Sequence, residues 1–400
     1  MNMAKNTTRS ERAGIIVRTI TCAALAAIML LSLTTGCRNR TNGNETVIDR
    51  SAEVLTTSTQ AAEKTPDATP TPAPTELPEE LFIDNVYPLS EHINSFKVYG
   101  RHEVKEKGVT CDWSGSGFAF RAAFEGDVYL ETTVPGECYL TVFLDGERQA
   151  DVIKASKNTQ ILKDVPRGSH LVEVFRQSEI RQCLLMLKTV KMHGTLLERP
   201  ADNQLYFEFV GDSITSGYGT NAKADAGTNT DATMGYPFLL SRSMNADHSI
   251  VSVTGIGMVK GYVNETMPDV YKMLDRYRSA KTAFEPVRVP DAVFVNLGTN
   301  DATMSSDPAK YIEAVKALIG EIRAFYGNDV PVVWVYNSMR VDHSSHTLQA
   351  LSELGGEAAK LYSFKMEMDS SSFGHPSANA HKRDAEALRA FIQTLPGIVP

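Results

Sequence analysis

Cysteine is scarce in this chain, with five in 400 residues, and none of them sits at metal-ligand spacing. A structural or catalytic metal is therefore not expected. Cys22 and Cys37 fall in the N-terminal segment, which leaves Cys111, Cys138 and Cys183 for at most one disulfide. Runs of lysine and arginine interleaved with aromatics are also missing, and the formal charge is −8. Both facts argue against a nucleic-acid partner. The apolar stretch at residues 20–33 is too short for a comfortable transmembrane helix.

What is present at the N-terminus is an export pattern. Lys5, Arg9, Arg12 and Arg18 precede the apolar stretch, which ends in small residues. The end reads Leu33-Thr34-Thr35-Gly36-Cys37 and resembles a bacterial lipoprotein signal with Cys37 as the lipidated residue. Thr34 stands where leucine is more usual, so ordinary secretory cleavage and an uncleaved anchor remain open. Residues 38–80 hold few large apolar side chains, and Thr69-Pro70-Thr71-Pro72-Ala73-Pro74-Thr75 favours extended backbone that builds no core. The expected division is a signal at 1–37, a disordered linker at 38–80 and two folded units at 81–200 and 201–400. The 42% hydrophobic fraction suffices for both cores.

The first unit reads as short β-strands. Residues 118–124, 128–134, 139–144, 170–175 and 184–190 are β-branched and aromatic, with partial alternation. Gly126-Asp127, Pro135-Gly136, Asp145-Gly146 and Arg167-Gly168 supply turns, and the spacing predicts an all-β sandwich. In the second unit, apolar runs at 205–210, 250–253, 292–297, 330–336 and 364–368 alternate with helical segments. Asp307-Pro308 starts the clearest helix, with Ile312, Val315, Ile319, Ile322 and Phe325 at helical spacing. That order predicts a five-stranded parallel sheet covered on both faces, with its chemistry at the carboxyl ends of the strands.

Three strings stand at such ends. Gly211-Asp212-Ser213 offers a hydroxyl nucleophile on a sharp turn. Gly298-Thr299-Asn300-Asp301 offers an amide to a developing oxyanion. Gly374-His375-Pro376 offers a base just before a final helix carrying Ala385, Leu388 and Ile392 on one face. Alone, each is as readily a turn or a cap. Thr254-Gly255-Ile256-Gly257 closes another strand, and either glycine can present an unhindered N–H. His381 reads as a surface or helix-packing residue, and His343 and His346 lie in a polar loop.

In this order the domain at 201–400 resembles the SGNH, or GDSL-type, hydrolases, whose signature Ser, Gly, Asn and His match Ser213, Gly255, Asn300 and His375, with Gly257 the rival glycine. The preceding segment sharpens the likeness. Cys111-Asp-Trp-Ser-Gly-Ser-Gly-Phe-Ala-Phe120 and a β-domain running directly into the Gly211-Asp212-Ser213 segment are similar to carbohydrate esterase family two. The resemblance implies a three-layer, flavodoxin-like catalytic domain behind a jelly-roll sandwich. It implies deacetylation of plant polysaccharides of xylan, mannan or glucan type, without cofactor. Ser213 would attack, His375 would act as base, and the N–H groups of Ser213 and Gly255 with the Asn300 amide would hold the oxyanion.

One expected part is missing. Most SGNH enzymes carry an aspartate three residues before the histidine, and here that residue is Ser372. A Ser–His dyad is expected, with a backbone carbonyl near Ser372 or the Ser372 hydroxyl accepting from His375, and with Asp369 as competitor. Tyr218, Trp334, Tyr336 and Phe373 are the aromatics near strand ends that could stack on sugars, although Trp334 and Tyr336 also read as buried sheet residues. Two other readings compete: a lipase or thioesterase of the same superfamily, and a carbohydrate-binding surface protein with weak or lost catalysis.

Overall fold

A computed structural model describes residues 77–221, 229–275, 277 and 279–398. The expected export segment, Cys37 and nearly all of the expected linker lie outside the described residues. Strands Gly117–Thr133 and Thr159–Arg176, 17 and 18 residues long, pair antiparallel with each other. With strand Met186–Leu196 they form the centre of a ten-stranded sheet. Two expected turns are therefore corrected. The chain does not reverse at Gly126-Asp127 or Arg167-Gly168; both pairs lie inside the long strands. Gly126, at φ +78°, sits where the register slips on both sides, and such a bulge bends a strand without ending it. Phe96, Phe118, Phe120, Phe124, Val142 and Val174 fill the core of this β-domain. Cys111, Cys138 and Cys183 are buried there, and no disulfide joins them among the described residues.

The second domain carries five parallel strands: Leu205–Gly211, Ala246–Ser252, Ala292–Asn296, Val332–Tyr336 and Leu361–Lys365. Their spatial order is second, first, third, fourth, fifth. The order reverses between the first and third strands, the place where open α/β sheets bind ligands. Alternate residues serve opposite faces. Val210, Val293 and Val295 pack with Val315, Leu318 and Ile322 of helix Pro308–Tyr326. Phe209, Phe294 and Val335 pack with Leu240 of helix Tyr236–Ser243 and with Leu388 and Ile392 of helix Ala378–Ile392. Burying each such side chain contributes about 1.5–3 kcal/mol. The second strand begins earlier than its apolar run implied, because Asp247, His248 and Ser249 are buried against the β-domain and ladder. The fifth also begins earlier, at Leu361, just after Lys360 turns the chain at φ +55°.

The two domains share a core. Tyr99, Phe143 and Phe175 of the β-domain pack with Phe238 and Ile250 of the second domain. Arg101 crosses to Glu208, fully buried in the first parallel strand, at 3.1 Å. Glu208 also accepts from the hydroxyls of Tyr271 at 2.7 Å and Tyr326 at 3.2 Å, so the buried charge is fully partnered. Lys97 meets Asp247 at 2.6 Å. Burial holds the His248 imidazole down near 4, so this ring is neutral, and its Nε2 lies 2.9 Å from the Gly115 carbonyl.

Candidate active site

Ser213 follows the first parallel strand in a tight turn. The N–H of Ser216 donates to the Asp212 carbonyl at 3.0 Å, and that of Tyr218 to the Ser213 carbonyl at 3.0 Å. These bonds wind residues 212–218 into a compact coil beneath which Ile214 and Thr215 are fully buried. Ser213 itself is 5% exposed. Asp212 is completely enclosed. One of its oxygens accepts from the Ile214 N–H at 3.0 Å and the other from Asn300 Nδ2 at 3.1 Å. Burial, reinforced by nearby Asp301 and opposed by the Ile214 N–H, pushes the Asp212 carboxyl up to about 7.

His375 arrives on a two-residue hairpin. Ser372 and His375 exchange backbone hydrogen bonds of 3.1 and 2.8 Å, with Phe373 at φ +51° and Gly374 at φ +73° between them. Positive φ at both central positions defines a type I′ turn. The turn folds the Phe373 carbonyl back to 3.1 Å from His375 Nδ1. A carbonyl only accepts, so Nδ1 carries the proton and Nε2 presents its lone pair. Nε2 lies 2.9 Å from Ser213 Oγ. Burial lowers the His375 pKa, and the Phe373 carbonyl partly opposes the shift, so the ring is neutral near pH 7. The Tyr218 ring lies against it, 4.7 Å between centroids.

The other expected orienting groups are engaged elsewhere. The Ser372 hydroxyl donates to the Gly219 carbonyl at 2.6 Å, which ties the base hairpin to the nucleophile turn. A side chain at position 219 would sit 2.9 Å from the Ser372 carbonyl, so glycine is required where the two turns meet. Asp369 accepts from the Ser371 N–H at 2.7 Å and from the Ser377 hydroxyl at 2.8 Å. Slight burial raises its pKa, but these hydrogen bonds outweigh it and hold the carboxyl at about 2. Asp369 thus caps the loop before helix Ala378–Ile392 rather than touching the imidazole. His381 is buried, with Nδ1 accepting from the Tyr236 N–H at 3.1 Å.

The groups expected to face an oxyanion are two backbone N–H groups and one side-chain amide. Gly255 follows the second strand at φ +83°, and its carbonyl accepts from the Tyr262 N–H at 2.7 Å. Among the described residues, neither the Ser213 N–H nor the Gly255 N–H meets an acceptor. The Asn300 amide donates to the Ile256 carbonyl at 2.7 Å and to Asp212 at 3.1 Å. A role toward an oxyanion requires it to exchange the longer of these bonds.

Two residues were not legible beforehand as part of the site. Asp301 accepts from three successive N–H groups, those of Met258 at 2.7 Å, Val259 at 2.8 Å and Lys260 at 3.0 Å, and so holds the loop behind Gly255. Its place beside Asn300 was the only signal. Tyr262, 61% exposed, stands on that loop with its Cβ 3.1 Å from where a Gly255 side chain would begin. Phe373 is 47% exposed on its hairpin turn, two residues before His375. Trp334 is corrected: it is fully buried in the sheet, its indole N–H 3.4 Å from the Leu297 carbonyl, and offers no face to a ligand.

A serine hydroxyl on the first strand's turn, facing a histidine after the last strand of a parallel sheet ordered in this way, defines an SGNH-type hydrolase. The GDSL-like Lipase/Acylhydrolase family profile matches residues 209–393, and the Carbohydrate esterase 2 N-terminal profile matches residues 98–200. Together these matches support a two-domain SGNH esterase of carbohydrate esterase family two. It is 26% identical over 317 residues to the cellulase/esterase CelE of Acetivibrio thermocellus, covering 74% of this chain but 39% of that longer protein. It is 24% identical over 345 residues to an acetylxylan esterase/glucomannan deacetylase of Cellvibrio japonicus, covering 79% of this chain and 94% of that protein. The solved structure of a family two carbohydrate esterase from Clostridium thermocellum in complex with cellohexaose shares the fold. It superposes with a TM-score of 0.69 at 24% identity, covering 76% of this chain and all of that one.

Proposed function

We propose that the protein is an exported carbohydrate O-acetyl esterase that removes acetyl groups from polysaccharides or oligosaccharides of xylan, mannan or glucan type. The observation that carries this reading is the 2.9 Å contact between Ser213 Oγ and His375 Nε2, with the Phe373 carbonyl on Nδ1. Ser213 attacks the acetyl carbonyl while His375 takes its proton and returns it to the sugar hydroxyl as it leaves. The resulting acetyl-serine is hydrolysed by water activated by the same ring. Among the described residues the Ser213 and Gly255 N–H groups meet no acceptor, which suits donation to a developing oxyanion, and the Asn300 amide holds the Ile256 carbonyl next to Gly255. A carbonyl dipole replaces the carboxylate of the full triad. It fixes the tautomer but stabilises the imidazolium less.

The carbohydrate reading is supported by the matching β-domain and by the names of the relatives, which include an acetylxylan esterase and a protein in complex with cellohexaose. Exposed Tyr262, on the loop after Gly255, and exposed Phe373, beside His375 in the chain, offer apolar faces to sugar rings. Attachment to the cell surface through a lipid on Cys37 follows from the sequence pattern, and a Cys37→Ala variant that still partitions with membranes would contradict it. The enzymatic reading is tested by acetate release from acetylated xylan, acetylated mannan and p-nitrophenyl acetate, with Ser213→Ala as control. Release from all three that vanishes in the variant is expected. No release by the native protein would contradict the reading, and a preference for long acyl chains would favour a lipase.

A further inference from the structure

Strand Thr159–Arg176 of the β-domain ends against the catalytic domain, and the turn after it reaches the loop that carries Gly255. Arg176 is fully buried and donates to the carbonyls of Ser178 at 2.7 Å, Glu179 at 2.7 Å and Cys183 at 2.5 Å. These bonds hold residues 178–183 as one rigid turn. From it, the Glu179 carboxylate accepts from the Thr254 N–H at 3.2 Å, and Arg181 Nη1 donates to the Thr254 carbonyl at 3.1 Å. Both backbone polar groups of Thr254 are therefore held by the other domain.

The second of these bonds matters for chemistry because of peptide geometry. The Thr254 carbonyl and the Gly255 N–H belong to one planar trans peptide, so they point in opposite directions. A cation fixed on the carbonyl aims the N–H the other way and polarises the peptide, which strengthens that N–H as a donor. Tyr262 and Asn300 hold the next two carbonyls, those of Gly255 and Ile256, from the catalytic domain. Glu179 is 4% exposed, and burial raises its pKa, with the Thr254 N–H and Arg181 opposing the shift.

We infer that Arg181 and Glu179 are positioning residues for ester hydrolysis: the β-domain sets the Thr254–Gly255 peptide so that the Gly255 N–H faces the oxyanion. The β-domain is then part of the catalytic apparatus and more than a binding module. The inference rests on the Ser213–His375 reading above.

The test measures kcat and KM for p-nitrophenyl acetate, and the rate at which a fluorophosphonate modifies Ser213, in Arg181→Ala, Arg181→Lys, Glu179→Ala and Glu179→Gln, with the circular-dichroism melt of each. A lost oxyanion donor costs about 100- to 1,000-fold in kcat, so a misaimed one is expected to cost about 5- to 20-fold in Arg181→Ala and Glu179→Ala. KM should stay within about twofold, phosphonylation should slow in parallel, and Arg181→Lys and Glu179→Gln should recover much of the loss. Folded Arg181→Ala and Glu179→Ala proteins with native kcat would overturn the inference. If Glu179→Ala does not fold, the exposed Arg181→Ala substitution decides alone. A native protein inert to both reagents, or one whose rates survive Ser213→Ala, would instead overturn the underlying dyad.

Discussion

The two halves of the site are built differently. The nucleophile turn is sunk in the core: Asp212, Ile214, Thr215 and Ser216 are all fully buried, and three backbone hydrogen bonds wind the turn around Ser213. The base rides on an exposed hairpin of two central residues, closed by two backbone bonds and tied inward through the Ser372 hydroxyl. A buried turn is placed by everything packed around it, whereas an exposed hairpin is placed by its own dihedrals. Substitutions around Ser213 should therefore disturb stability and turnover together. Those in the two-residue turn before His375 should change turnover while leaving the fold intact.

The largest effect is expected at the reacting pair. Ser213→Ala and His375→Ala should each lower kcat by about 10⁴-fold or more, and the double variant should add little, as groups acting as a unit do. A double variant that multiplied the two losses would separate the halves into independent contributors. Asn300→Ala comes next. As an oxyanion donor it is worth about 100- to 1,000-fold in kcat. A smaller loss accompanied by a lower melting temperature would mark Asn300 as a strut between Ile256 and Asp212.

The pH profile sharpens the comparison because each half holds one perturbed group. His375 must be neutral to act, and its pKa lies below the ordinary value of about 6.5, so kcat/KM should fall only as the pH drops below that value. Below the limb the loss is tenfold per pH unit. A break near pH 7 that disappears in Asp212→Asn would instead report the buried carboxyl beneath the nucleophile.

Gly374 tests the hairpin alone. Nothing lies within 4 Å of a side chain added there, so Gly374→Ala acts only through its φ of +73°. The left-handed conformation costs an ordinary residue about 1–2 kcal/mol. The turn should relax, withdraw the Phe373 carbonyl and lower kcat severalfold with an almost unchanged melt. Gly374→Asn, which tolerates that conformation, should lie between the variant and the native protein.

Much of this was legible in the sequence, for a physical reason. Five apolar runs and their helices announce a parallel sheet, and the rule that chemistry gathers at strand ends then singles out Ser213, Asn300 and His375. The long strands of the β-domain were less legible, because a glycine at a bulge and a glycine at a turn read alike. For His375 a backbone carbonyl near Ser372 was legible as the partner, but not which residue supplies it. Every residue has one, and Phe-Gly is not the Asn-Gly that usually announces a type I′ turn. Asp301 and Glu179 were hidden too, since each acts on the backbone of a loop distant in sequence.

The central claim is that a carbonyl, and no carboxylate, orients the base. Asp369 is the acid that sequence proximity would nominate, and its hydrogen bonds run to Ser371 and Ser377. The most direct test is therefore acetate release by Asp369→Ala against the native protein and Ser213→Ala. The account predicts kcat within about threefold of native and a melt lowered by the loss of a loop cap worth about 1 kcal/mol. A folded Asp369→Ala protein as inactive as Ser213→Ala would contradict it.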